Sequence, residues 1–138
     1  MKLENNNAKS IIAKSLVLIG VFAAILPINA HAQAAAPIDG RALYMRTCSA
    51  CHKPTGVGTP PALPSLVNGP VATAANPNGA ILQVLWGKRA MPAQGAIYND
   101  AQIAAILTYV RSNFGNHASA VTPAQVTRLR AAGRPKTK

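Results

Sequence analysis

The chain has 138 residues, six of them aromatic, and a formal charge of +11 from 14 Lys and Arg against three acidic residues. Its length suits one domain. No basic stripe interleaved with aromatic residues runs through it, so nucleic acid is not expected as a partner.

In chain order, the first segment reads as a secretory signal peptide over residues 1–32. Lys2, Lys9 and Lys14 form a positive start, residues 16–28 are apolar, and Ala30-His31-Ala32 is a small-x-small cleavage site before Gln33. An uncleaved anchor helix is the alternative. The apolar run is short for a bilayer span and contains Pro27. Export places the protein in a periplasm. From Gln33 onward, eleven Lys and Arg face only Asp39 and Asp100, a formal +9. That charge favours partners with acidic docking surfaces, or peripheral contact with anionic lipid headgroups, with solubility alone as the plainer explanation.

Asp39 is placed to cap a first helix running to about His52, with Leu43 and Thr47 on one stripe. Near its end lies Cys48-Ser49-Ala50-Cys51-His52, which holds both cysteines of the chain. Cys-x-x-Cys-His is a c-type haem attachment signature. Two thiols add across the two vinyl groups of one haem, and the adjoining imidazole takes an axial position on iron. Positions i, i+3 and i+4 share a helix face, so Cys48, Cys51 and His52 can all reach one side of a flat macrocycle. Competing readings explain less. A thioredoxin-like pair belongs in a βαβ setting, a structural zinc site needs four ligands, and a disulfide here closes too small a loop to stabilise much. A haem-free thiol protein would lack a Soret band.

Residues 53–69 read as loop, broken by Pro54, Gly56, Gly58, Pro60, Pro61 and Pro64. Asn76-Pro77 opens a second helix over residues 77–86, and Gly87 ends it. Residues 88–98 form a loop containing Met91. That methionine lies 39 residues past His52, far enough for the chain to pass to the opposite face of a haem, and is the expected sixth ligand. Met45 is too near Cys48, and His117, beyond the last long helix, is the weaker alternative. Trp86 is a candidate cofactor-binding residue through its indole N–H, a donor suited to a propionate, with core packing the favoured reading. Lys88 and Arg89 flank the Met91 loop and suit propionates or a partner's carboxylates.

Asn99 with Gln102 at N3 predicts a capping box, followed by the stripe Ile103, Ile106, Leu107 and Val110, with Gly115 as the natural C′ residue. Thr122 and Gln125 repeat the capping pattern for a short last helix, and residues 133–138 form a basic tail. No segment alternates with period two, so an all-α fold is expected. The domains are drawn as 33–116, carrying one haem c with its iron, and 117–138, a C-terminal extension.

Taken together, Gly40-x-x-x-Tyr44-x-x-x-Cys48-x-x-Cys51-His52, Met91-Pro92 and Leu107-x-Tyr109-Val110 resemble the class I mono-haem cytochromes c of bacteria, over residues 38–114. The resemblance implies a small all-α cytochrome c fold wrapped on one haem, with Gly40 and Tyr44 meeting Tyr109 where the first and last helices cross. It also implies one-electron transfer at an exposed haem edge. A proline carbonyl accepting from His52 Nδ1 is implied too, with Pro61 the best match and Pro60 next. The stretches Met91-Pro-Ala-Gln-Gly-Ala, Asp100-Ala-Gln-Ile and Val121-Thr-Pro-Ala are similar to cytochromes that receive electrons from periplasmic dehydrogenases. Gln94-Gly95 departs from the pattern where an aromatic often stands. The expected function is a periplasmic electron carrier with His/Met ligation, not an enzyme, passing electrons from a dehydrogenase to an oxidase or other acceptor. Two alternatives are a fixed haem subunit of a dehydrogenase complex, with residues beyond 117 as a docking arm, and a five-coordinate haem protein that binds a small ligand.

Overall fold

The structure, a computed structural model, describes residues 36–136. The expected signal peptide and its cleavage site lie outside the described residues. Among these, six α-helices and one π turn follow in order: α1 (Gly40–Leu43), the π turn (Tyr44–Cys48), α2 (Ser49–His52), α3 (Pro70–Thr73), α4 (Asn78–Trp86), α5 (Asp100–Ser112) and α6 (Pro123–Ala131). Two isolated β-bridges, Thr59–Leu63 and Lys88–Met91, are the extended pairings among the described residues. The all-α expectation holds.

The caps form where the local sequence places them. Asp39 accepts from the Ala42 amide at 3.0 Å. Asn99 with Gln102, and Thr122 with Gln125, each close a full capping box at the start of α5 and α6. Gly87 ends α4 at φ +73°, where an L-residue is strained. Three boundaries differ from expectation. The first helix is interrupted by the π turn, α4 begins at Asn78 rather than Pro77, and a separate short α3 starts on Pro70. Asn76 still supports α4, its side chain accepting from the Asn78 amide at 2.9 Å. Past α5 the first left-handed residue is Phe114, at φ +59°, and Gly115 follows at +76°.

The first segment crosses α5 where Gly40 meets the Ala105 carbonyl. A Cβ at position 40 would sit 2.1 Å from that oxygen, so no larger residue fits without parting the helices. Tyr44 then packs on Tyr109 and Phe114, with ring centroids 5.4 and 5.3 Å away. The second core group joins Leu85 of α4, Ile103 and Leu107 of α5, and Val126 of α6. Val126 is fully buried. The segment beyond His117, expected as an extension, therefore packs through α6 into the same core. No described helix is long and apolar enough to cross a membrane.

Candidate functional site

Between the crossing helices and the Met91 loop lies a cavity of two lobes, about 210 and 380 Å3. The larger lobe alone falls within the ~300–1,000 Å3 of typical cofactor pockets. Cys48, His52 and Met91 line both lobes, and Cys51 lines the larger. Val84 of α4 with Leu107 and Val110 of α5 supply apolar wall. The π turn and α2 thus bring the whole Cys-x-x-Cys-His run to the cavity, and the tight Lys88–Met91 turn brings Met91 there. Lys88 and Met91 exchange backbone hydrogen bonds of 3.0 and 3.1 Å around that turn.

His52 is oriented by its outer nitrogen. Its Nδ1 lies 3.0 Å from the Pro64 carbonyl oxygen. A carbonyl can only accept, so Nδ1 carries the proton and the Nε2 lone pair is left for a metal. The acceptor is Pro64, not Pro61. Thr59 and Leu63 pair through hydrogen bonds of 2.8 and 3.0 Å, so residues 60–62 form the tip of a turn and Pro64 returns beside His52. Pro61 lies instead on the wall of the larger lobe.

Several neighbours carry no local sequence signal. Gln83 lines both lobes, and its Nε2 donates to Met91 Sδ at 3.6 Å. Gln94 is buried at the larger lobe with its Oε1 lacking a partner among the described residues. Arg111 lines the smaller lobe with its side chain fully buried. It donates from Nε to Ser119 O at 2.8 Å and from Nη1 to Ala72 O and Ala74 O, each at 2.9 Å. Burial lowers its pKa, and the carbonyls compensate the cation. Their positions, up to 39 residues away, are set only by the fold.

Burial, and after it the nearby Cys51, push the Cys48 thiol up to about 11. Trp86 packs against the Leu85–Ile103 core group and is not among the cavity-lining residues. Its Nε1 is buried without a partner among the described residues. His117 is exposed and does not line the cavity, and Met45 packs beside Tyr44.

This donor set suits a haem. Two thiols, a pre-oriented imidazole and a thioether border one largely apolar cavity. Among the described residues no three His, Cys, Asp or Glu side chains cluster as a bare ion's ligands. Thiol pairs with one His and one Met match covalent attachment and axial ligation.

Comparison with known proteins agrees. Residues 35–110 match the family model described as cytochrome C oxidase, cbb3-type, subunit III. The chain is similar to the fructose dehydrogenase cytochrome subunit of Gluconobacter japonicus, 36% identical over 110 residues, covering 70% of this chain and 23% of that protein. It is 30% identical over 112 residues to the alcohol dehydrogenase (quinone) cytochrome c subunit of Gluconacetobacter polyoxogenes, covering 72% and 24%. The chain thus spans about a quarter of the length of these curated relatives. Among solved structures it is similar to cytochrome cL of Methylophaga aminisulfidivorans, with 25% identity, a TM-score of 0.48, and coverage of 72% and 66%.

Proposed function

Because this chain belongs to the cytochrome c family, through the domain described as cytochrome C oxidase, cbb3-type, subunit III, we propose that it is a periplasmic one-electron carrier with His52 and Met91 as axial ligands. The family's haem c is covalently bound and carries iron. The observation that supports the finer reading is that His52 and Met91 line both lobes of one cavity beside Cys48 and Cys51. In this reading the two thiols hold the macrocycle through thioether bonds, and the bound group supplies a reversible one-electron couple.

The protein's own residues fix the conditions of transfer. Pro64 accepts from His52 Nδ1, which in the neutral ring leaves Nε2 as the nitrogen that can ligate. Gln83 holds the Met91 sulfur by its amide N–H. Val84, Leu107 and Val110 keep water from the cavity wall, which limits solvent rearrangement when charge changes. Pro61 is assigned to the cofactor wall, and Trp86 to packing in the Leu85–Ile103 core group. Lys88 and Arg89, exposed at the mouth of the larger lobe, face an acidic partner. The protein is assigned electron transfer and no catalysis of its own.

A second reading, a fixed haem subunit of a dehydrogenase complex, draws support from the names of the two curated relatives, both cytochrome subunits of dehydrogenases. The carrier reading is tested at Met91. The ferric protein is expected to show the weak sulfur-to-iron band near the red edge of the visible spectrum, and its ferrous form to resist carbon monoxide. Met91→Ala is expected to lose the band, lower the reduction potential and bind carbon monoxide, while the haem stays attached. Rapid carbon monoxide binding by the unmutated protein would favour the five-coordinate, ligand-binding alternative. Co-purification with a dehydrogenase at fixed stoichiometry would favour the subunit over the free carrier.

A further inference from the structure

The loop that presents Met91 is gripped from outside its own segment. After Met91 the backbone returns to α4, where the Gln94 and Gly95 amides donate to Val84 O and Leu85 O at 2.9 and 3.1 Å. The Ile97 and Tyr98 amides then both donate to Gln94 O, each at 3.0 Å. This leaves the carbonyls of Gly95 and Tyr98 to other partners. Both are taken by one side chain, Arg130 on the last turn of α6. Its Nη1 donates to Gly95 O, and its Nη2 donates to Tyr98 O at 3.0 Å.

The guanidinium is itself held in plane. Arg130 Nε pairs with Asp100 Oδ1 at 2.6 Å, and the Thr127 hydroxyl donates to Asp100 Oδ2 at 2.5 Å. Asp100 opens α5, so the carboxylate is fixed to a rigid element. A guanidinium carries its donors in one flat fork, which lets a single residue hold two carbonyls and a carboxylate together. On its other side the same loop is tied to the haem-attachment segment, because the buried Tyr98 hydroxyl is hydrogen-bonded to Thr47 Oγ1, next to Cys48. The segment carrying Met91 is thus braced between the π turn and α6.

We propose that Arg130 is a positioning residue for Met91, through which the C-terminal helix sets how firmly the sixth coordination position is closed. The proposal rests on Met91 being the iron ligand. It assigns α6 a role in ligation beyond completing the core. Removing the fork frees two carbonyls of the loop at once, and the loop then exchanges a braced state for one in which Met91 leaves the iron more often.

The test uses the full exported, haem-loaded protein and three variants. Arg130→Met keeps the stem and removes the fork. Arg130→Lys keeps a cation but only a point donor, and serves as the working variant if Arg130→Met fails to accumulate. Asp39→Ala removes the exposed cap of α1, away from the loop and from α6, and serves as the stability control. The unmutated protein is expected to show the sulfur-to-iron band and slow carbon monoxide binding. Arg130→Met is expected to weaken the band and speed carbon monoxide binding by about tenfold or more, as loss of charge-assisted hydrogen bonds implies. Arg130→Lys should fall between the two. Asp39→Ala should lower the thermal midpoint while band and binding rate stay unchanged. The proposal is overturned if both Arg130 variants keep the band and the slow rate. It is overturned equally if Asp39→Ala changes them in step with its lost stability, since band and rate would then follow folding alone. A missing band in the unmutated protein removes the Met91 reading first and the brace with it.

Discussion

Tyr44 is fully buried, and its hydroxyl donates to the Lys53 carbonyl at 2.7 Å just past His52. Burial, then the neighbouring Cys48 and Tyr109, push its pKa from 10.0 to about 12. Burial, the leading cause, remains once Cys48 is a thioether. A folded value above the unfolded one means that the neutral phenol stabilises the fold fully below pH 10, and that this contribution disappears as pH rises from 10 to about 12. Tyr44→Phe should keep the ring packing, lose about 1 kcal/mol with the hydrogen bond, and flatten the fall in stability across that range, measured by denaturant unfolding at stepped pH. At the attachment residues, denatured protein should carry haem through acidic butanone extraction, and Cys48→Ala with Cys51→Ala should release it. Extraction of haem from the unmutated protein would overturn the covalent assignment. That Cys48, Cys51, His52 and Met91 come together at one cavity was legible in residue type and spacing. Gln83 beside Met91, and Pro64 in place of Pro61, were not, because each depends on how the chain turns between distant points.

The helices that were read from sequence are those whose stop and start signals are local. The capping boxes at Asn99 and Thr122 need only residues three apart, and Gly87 needs only its own φ. Helix α3 has no such signal beyond Pro70. It is held instead by Arg111, whose Nη1 takes the carbonyls of Ala72 and Ala74 from α5. The loop after α2 is anchored in the same long-range way by Asn116, which is 1% exposed. Its Oδ1 accepts from the Asn68 amide at 2.8 Å, and its Nδ2 donates to Leu66 O at 2.9 Å and Val110 O at 2.8 Å. Asn116→Ala strands three backbone groups with little loss of volume and should cost about 3 kcal/mol, at the upper end for a buried unmet partner. Thermal or denaturant unfolding of the haem-loaded protein checks it. A change under about 0.5 kcal/mol, the usual range for surface substitutions, would mean that water replaces the side chain there.

Over the whole molecule the charge is one-sided, +9 from Gln33 onward, and Lys88 and Arg89 stand exposed at the mouth of the larger lobe. Electron transfer with an acidic redox partner should therefore slow as ionic strength rises from 0.01 to 0.15 M, where the Debye length shrinks from about 30 to about 8 Å. Lys88→Glu with Arg89→Glu should lower the low-salt rate and weaken its salt dependence, read by stopped-flow reduction. A salt-independent rate would confine the basic charge to solubility. By itself the sequence determined the cofactor chemistry, the all-α class, the capped helices and the charge, because each is carried by residue type within a turn or by composition. Only the tertiary structure decided that Pro64 orients His52, that Arg111 is buried against the cavity, and that α6 joins the core and grips the Met91 loop through Arg130. Those outcomes are set by contacts across 12 to 39 residues. A side chain's partner at such a distance is chosen by how the helices pack, and no spacing along the chain records it.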